Sequence, residues 1–286
     1  MGFYPQLWSN KTLNKMKKEL ETKKRIFSTI TDYTPFVLNK EAEGYNGPKL
    51  GVLSAVDLPA SDSDINDPSK STISFLFSQK KGVPFVVKDV EESQSNVDLL
   101  NHYTEDAKDA ILDVYDQFCI KGMIAGAGSK IKKSDSVGNI IVKADILKLM
   151  ETLDAKKAPQ KGRYLVVSPT VKAQILDISD FISRDKILDT SAMKDGVIGT
   201  ILGFEVIMSN DLPKVNASGL IDATPANNTK DALLAYQSLG WAFGRQKEFG
   251  ADSLPQPLTP GTLVNIWSYF GGTIQEADFV VSMRDN

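Results

Sequence analysis

Apolar residues recur at alternating steps of three and four along Val97, Leu100, Thr104, Ala107, Ile111, Val114 and Phe118, the spacing that keeps side chains on one face of an α-helix. The stripe predicts a long amphipathic helix over residues 93–118, roughly 40 Å long at about 1.5 Å per residue. That length suits the spine of a domain. Thr104 and Ala107 weaken the seam and the pattern stops within about four heptads, which disfavours a coiled coil. Upstream the period changes to two: Ile73, Phe75 and Phe77 alternate with Ser74, Leu76 and Ser78, predicting a strand with one apolar face. Lys80-Lys81-Gly82 predicts a turn into a second strand, Val83–Val87, and so a hairpin. The polar run from Ala60 to Ser69 reads as a loop. So long a two-stranded excursion carries little core of its own and must lie on something.

Near the start, Leu13, Met16, Leu20 and Phe27 share one helical face, with Ser9 a suitable cap. Phe3 to Ser9 precedes this face as an arm. The other faces carry Lys11, Lys15, Lys17, Lys18, Lys23, Lys24 and Arg25 against Glu19 and Glu21. They read either as a solvated helix surface or as an arm docking on an acidic neighbour or lying near DNA. In the second half, Tyr164–Val167 predicts a short buried strand that feeds a helix at Ser168-Pro169, with proline at the first helical position. Gly196, Gly199 and Gly203 predict tight turns, Phe204–Met208 another strand, and Asn210-Asp211-Leu212-Pro213 its closing turn. Gly122, Gly126 and Gly128 are expected to end the long helix, and Ile146–Met150 is amphipathic. After a connector holding Pro255, Pro257 and Pro260, Thr262–Phe270 and Thr273–Val281 predict a hairpin turning at Gly271-Gly272.

The chain has 286 residues, 42% of them hydrophobic, enough for one large core or two modest ones. With 33 basic and 36 acidic side chains the formal charge is -3, so no global basic field grips nucleic acid. Cys119 is the single cysteine and cannot form an internal disulfide. The start shows no secretory signal, and no apolar run approaches the roughly 20 residues that span a bilayer. A soluble protein made in a reducing cytoplasm is expected. Catalytic groups are scarce. His102 is the only histidine and lies beside the helical stripe, reading as a helix-surface residue. Cys119 beside Phe118 reads as a small buried side chain. Gly122–Lys130 departs from a phosphate loop because Ser129 separates Gly128 from Lys130. Asp62, Asp64 and Asn66 begin like a calcium loop, but Asp67 holds the glycine position and Ile73 the position of the bidentate glutamate. Glu91 and Glu92 suit a helix start, where the dipole favours acids. No catalytic, cofactor-binding or metal-binding residue is assigned, no cofactor is expected, and the chain is read as not an enzyme.

The order of elements and the wording from Lys161 to Pro213 resemble tailed-bacteriophage major capsid proteins. Two further stretches carry the same resemblance independently: the opening Pro5-x-x-Trp8-Ser9 before a helix, and Lys88 to Leu100 approaching the long helix. The resemblance covers nearly the whole chain and implies an α+β fold of the Hong Kong 97 type. It implies an N-terminal arm (1–35), an extended β-hairpin loop (36–90), a peripheral domain with the spine helix (91–126 and 255–286) and an axial domain (127–254). The implied function is a shell subunit whose pentamers and hexamers form an icosahedral head around double-stranded DNA. The implied partners are further copies of itself, portal, scaffolding and decoration proteins, and packaged DNA by non-specific proximity, with no membrane. Scaffolding is expected as a separate protein or as a segment cleaved away. The implied location is the virion capsid, assembled in the host bacterial cytoplasm. Lys80 and Lys81 lie where some family members place a crosslinking lysine, but no partner asparagine or acid is identified and no crosslink is expected. An encapsulin-type nanocompartment around a cargo enzyme is the alternative within the same fold, and a small-molecule enzyme on an α/β scaffold the alternative outside it.

Overall fold

The computed structural model describes residues 25–37, 44–48, 72–88, 99–135, 138–178, 199–255 and 261–286. The arm and its helix up to residue 24, the polar loop with Asp62, Asp64 and Asn66, the acids Glu91 and Glu92, and Gly196 lie outside these residues. The architecture is α+β, with three sheets and three α-helices among the described residues.

Helix α1, Leu99–Ala125, is the predicted spine. It runs past Phe118 and through Gly122, so only Gly126 and Gly128 follow its end. Its buried line is Ala107, Ile111, Tyr115, Cys119, Ile120, Met123 and Ile124, while Thr104, Val114 and Phe118 are half-buried. Val97 and the side chain of Leu100 lie outside those described; from Thr104 to Ile111 the stripe holds its expected positions, and it then rotates toward Tyr115, whose ring contacts Phe27, Phe243 and Phe270. A large aromatic that can meet three others buries more surface than Val114, so it takes the centre of the face.

Strands β1 (Thr31–Asp32), β4 (Gln79–Lys88), β10 (Trp241–Pro255) and β11 (Gly261–Ile274) form a four-stranded sheet in the order β1-β10-β11-β4. Phe243, Val264, Ile266 and Phe270 turn one face of it onto α1. Strands β2 (Gly44–Pro48) and β3 (Thr72–Leu76) pair only with each other, as an antiparallel ribbon. Ile73, Phe75 and Phe77 are all buried on one side, as their alternation predicts. The hairpin expected at Lys80-Lys81-Gly82 does not form. The chain breaks at Phe77-Ser78, and the three residues lie inside β4 opposite Tyr269, Ser268 and Trp267. Strand β11 offers β4 a partner along all ten of its residues, far more ladder than a return onto β3 could supply.

The six-stranded mixed sheet has the order β5-β12-β9-β6-β8-β7, from Ser129–Lys132, Val280–Arg284, Ala232–Gln237, Arg163–Val167, Phe204–Met208 and Thr200–Ile201. Every residue of β9 is buried because both its faces are covered. Ala232, Leu234 and Tyr236 face the cluster built on α1. Leu233 and Ala235 face a second cluster with α2 (Lys143–Ala155) and α3 (Pro169–Asp177). The strand, helix and strand read from Tyr164, Ser168-Pro169 and Phe204 form as expected. Ser168 Oγ accepts from Val171 N at 3.4 Å, Pro169 opens α3, and Gly203 turns β7 into β8 at φ +83°.

The terminal hairpin expected at Gly271-Gly272 also fails. Both glycines continue β11 opposite Gly244 and Phe243. The chain turns instead at a 3₁₀ segment, Ala277–Phe279, and β12 enters the other sheet between β5 and β9. Strand β10, up to Pro255, thus packs with α1, and β12 lies in the six-stranded sheet.

Candidate assembly surfaces

Cys119 lies fully inside the core, where burial and then the nearby Asp116 push its thiol well above the ordinary range, away from a nucleophilic thiolate. His102 falls within α1, as its position beside the stripe implies. Among the described residues no group of three His, Cys, Asp or Glu side chains is placed to hold a metal ion, and no helix is long and apolar enough to cross a membrane. The glycines that resemble a phosphate loop are seats for side chains and backbone. A Cβ on Gly122 would fall 2.1 Å from Trp241 Cη2, one on Gly126 2.6 Å from Ile274 Cδ1, and one on Gly128 2.5 Å from the Ala277 carbonyl oxygen.

The β2–β3 ribbon is rooted by an aromatic cluster on the four-stranded sheet. Phe75 stacks edge-on against Phe77 with centroids 5.8 Å apart, and Tyr45 and Tyr33 close the cluster at 5.6 and 6.5 Å from Phe75. Gly244 is the floor under Phe75, and a Cβ there would lie 2.9 Å from its Cζ. Beside the joint, Leu76, Phe77, Ser78, Lys80, Gln246 and Tyr269 line an open cavity of about 360 Å³. Lys80 Nζ sits 5.2 Å from the centre of the Tyr269 ring.

The sheet face turned away from α1 is more apolar than a solvated face needs to be. Leu254, Leu263 and Val86 stand in one row across β10, β11 and β4, since directly opposed residues share a face. Leu254 is 63% exposed, Val86 40%, and at the ribbon Leu76 reaches 68% and Phe36 61%. Two positions further along the row come Asp252, Asn265 and Pro84, then Gly250, Trp267 and Gly82. Trp267 lies flat over Gly250, and its Nε1 donates to Asp252 Oδ2 at 2.7 Å.

The first described residues, expected to be the root of the arm, are anchored at a separate place. Arg25 meets Asp109, Asp113 and Asp116 of α1, and Phe27 N donates to Asp116 Oδ1 at 2.9 Å. Phe27 belongs to a 3₁₀ turn, Ile26–Thr29, rather than to the expected helical stripe. Thr29 Oγ1 and Tyr236 OH are 2.5 Å apart in the core, and burial keeps that phenol protonated far above its ordinary range. Sequence reading missed both the arm root and the apolar row. Asp109, Asp113 and Asp116 at steps of four and three are a visible signal for the first. The row joins three distant segments and has no local signal.

The model for the family described as phage capsid protein matches residues 78–282. Comparison with curated protein sequences finds no match. Among solved structures, the chain is similar to one of Mycobacterium phage Che8 at 18% identity and a TM-score of 0.68, covering 99% of this chain and 97% of that one. The capsid structure of the cyanophage P-SCSP1u is similar at 17% identity and a TM-score of 0.69, over 92% and 89% of the two chains. The head structure of the Helicobacter pylori bacteriophage KHP40 is similar at 11% identity and 0.65, over 92% and 91%. At these identities the likeness shows the fold alone. The family match spans well over half of the chain, and the protein belongs to the phage capsid protein family.

Proposed function

We propose that this capsid protein assembles into pentamers and hexamers that tile an icosahedral head around double-stranded DNA. The observation that carries the reading is the apolar row Leu254–Leu263–Val86, on a sheet whose other face α1 already covers. An apolar row exposed at Leu254 and Val86 and continuous through the half-buried Leu263 marks an interaction surface, and closed rings of copies are one arrangement that covers such a surface on every subunit. Burying each of these side chains contributes roughly 1.5–3 kcal/mol. One contact is therefore weak alone and becomes firm only when repeated around a ring.

Residues 1–35 act as the arm and 36–90 as the extended loop, both contacting neighbouring copies. The peripheral domain is α1 with β10 and β11, whose sheet the arm completes with β1 and the extended loop with β4, and the axial domain is the six-stranded sheet with α2 and α3. Portal, scaffolding and decoration proteins are its further partners. The mixed charge leaves DNA as an enclosed cargo held by proximity, and the subunit performs no catalysis. Its place is the virion capsid, assembled in the bacterial cytoplasm.

Electron microscopy and sedimentation of the purified chain, alone and with its scaffold, test this reading. Rings or closed shells of regular diameter are expected, and paired changes Leu254→Asp and Leu263→Asp are expected to abolish them while circular dichroism and melting stay unchanged. A monomer that persists at high concentration with scaffold overturns the reading. Assembly of the double variant at wild-type efficiency removes the row as its basis. Protein cargo in place of DNA inside the particles would identify a nanocompartment.

A further inference from the structure

Three carboxylates on one face of a helix repel one another, and the cluster on α1 exists only because something compensates it. Asp109, Asp113 and Asp116 are spaced by four and three residues, so they form one continuous stripe. The Asp116 side chain is 2% exposed, where an ionised carboxylate is costly unless paired and hydrogen-bonded. The compensation comes from the root of the arm. Arg25 Nη2 lies 3.6 Å from Asp109 Oδ1, and Nη1 contacts Asp113 Oδ1 and lies 3.8 Å from Asp116 Oδ2. Two residues on, the Phe27 amide supplies a hydrogen bond to Asp116, and the Phe27 ring closes the side toward Tyr115 at 5.5 Å. A planar guanidinium suits this position because its fork reaches several carboxylates at once, which a lysine ammonium cannot do.

We propose that Arg25 and the three aspartates form a latch that couples the departure point of the arm to the middle of the spine helix. With the latch closed, the chain is fixed at Arg25. With it open, α1 carries three like charges at its centre, one of them buried, and loosens at 109–116. A neighbour that draws on the arm therefore acts on the helix as well. The latch goes beyond the shell reading and rests on contacts within one chain, so either can fail without the other.

The test uses limited trypsin digestion of the full chain, followed by intact mass, because Lys23, Lys24 and Arg25 place three cleavable bonds side by side. In the wild type, cleavage after Arg25 is expected to be at least about tenfold slower than after Lys24, since proteolysis follows the population of the open form. In Asp109→Asn with Asp113→Asn, cleavage after Arg25 is expected to rise about tenfold while cleavage after Lys24 is unchanged. Hydrogen exchange supplies the second readout. Arg25→Gln is expected to speed exchange across 109–116, and Arg25→Lys to restore part of the protection. Equal cleavage after Lys24 and Arg25 in the wild type overturns the latch. So does an unchanged rate in the aspartate double variant, or exchange in α1 that ignores Arg25→Gln. Should Arg25→Gln not fold, the double variant, which keeps the arginine, decides alone.

Discussion

Gly122→Ala tests how α1 meets the four-stranded sheet, because two effects of opposite sign compete there. In an ordinary helix interior, alanine is favoured over glycine by about 1 kcal/mol. Here the new Cβ would lie 2.1 Å from Trp241 Cη2 and 2.7 Å from Cζ2 and Cζ3. Carbon atoms settle near 3.5 Å, so the indole would have to retreat by about 1.4 Å. Trp241 is buried and packs edge-on against Phe118 at 6.0 Å, which limits its retreat. Overpacking of this kind costs about 1–3 kcal/mol. Complete expulsion of the ring would forfeit some 150–250 Å² of burial, or about 4–6 kcal/mol at 25 cal/mol per Å². A retreat as large as about 1.4 Å belongs at the upper end of the overpacking range, so after the propensity gain a net loss of roughly 2–5 kcal/mol is expected. Urea unfolding followed by circular dichroism measures it, with an unchanged slope and a lowered midpoint. The same substitution in a Trp241→Phe background should cost at least about 1 kcal/mol less, because the smaller ring leaves room for the methyl. A Gly122→Ala protein as stable as the wild type, or an equal loss in both backgrounds, would refute the steric account.

Other sites give equally direct expectations. Asp145 is buried at the start of α2 and accepts from Ser134 N at 2.8 Å, Ser134 Oγ at 2.6 Å and Val142 N at 3.1 Å. Asp145→Ala leaves those donors unmatched and should lower stability by about 3 kcal/mol or more in urea titration, with Asp145→Asn milder. Tyr236→Phe removes the hydroxyl that meets Thr29 and should cost about 1–2 kcal/mol, with hydrogen exchange rising at Ile26–Thr29 before it rises in β9. Leu234→Ala, in a strand buried on both faces, should cost about 3–5 kcal/mol by thermal or urea unfolding.

Elements whose instructions are local could be read from the chain, and those defined by distant partners could not. The spine helix, strand β3 (Thr72–Leu76), the capped start of α3 and the strand Phe204–Met208 each carry their period and their punctuation within a few residues. The proposed assembly surface was not legible. Leu254, Leu263 and Val86 meet only once β10, β11 and β4 are in register, and no window of the sequence contains all three. The arm root shows an intermediate case, since the stripe Asp109–Asp113–Asp116 is local and the arginine that compensates it is some eighty to ninety residues away.

Both misread hairpins have one physical cause, which is that a glycine between apolar runs has two meanings. It can supply the positive φ of a turn, as Gly203 does at +83°, or it can leave room for a neighbour to approach. Gly271 does the second: a Cβ there would lie 2.1 Å from the Leu76 carbonyl oxygen, where the end of β3 crosses β11. Gly82 likewise stays in β4 opposite Trp267. Turns and seats look alike in sequence but differ in what must surround them. A turn glycine needs nothing opposite it, whereas a seat needs a bulky or crossing partner from elsewhere in the chain. In this fold the seats cluster where the extended ribbon and the long helix meet the four-stranded sheet. Substituting Gly271 should therefore displace the ribbon on its root while leaving the six-stranded sheet intact, and hydrogen exchange confined to β2, β3 and β11 would show it.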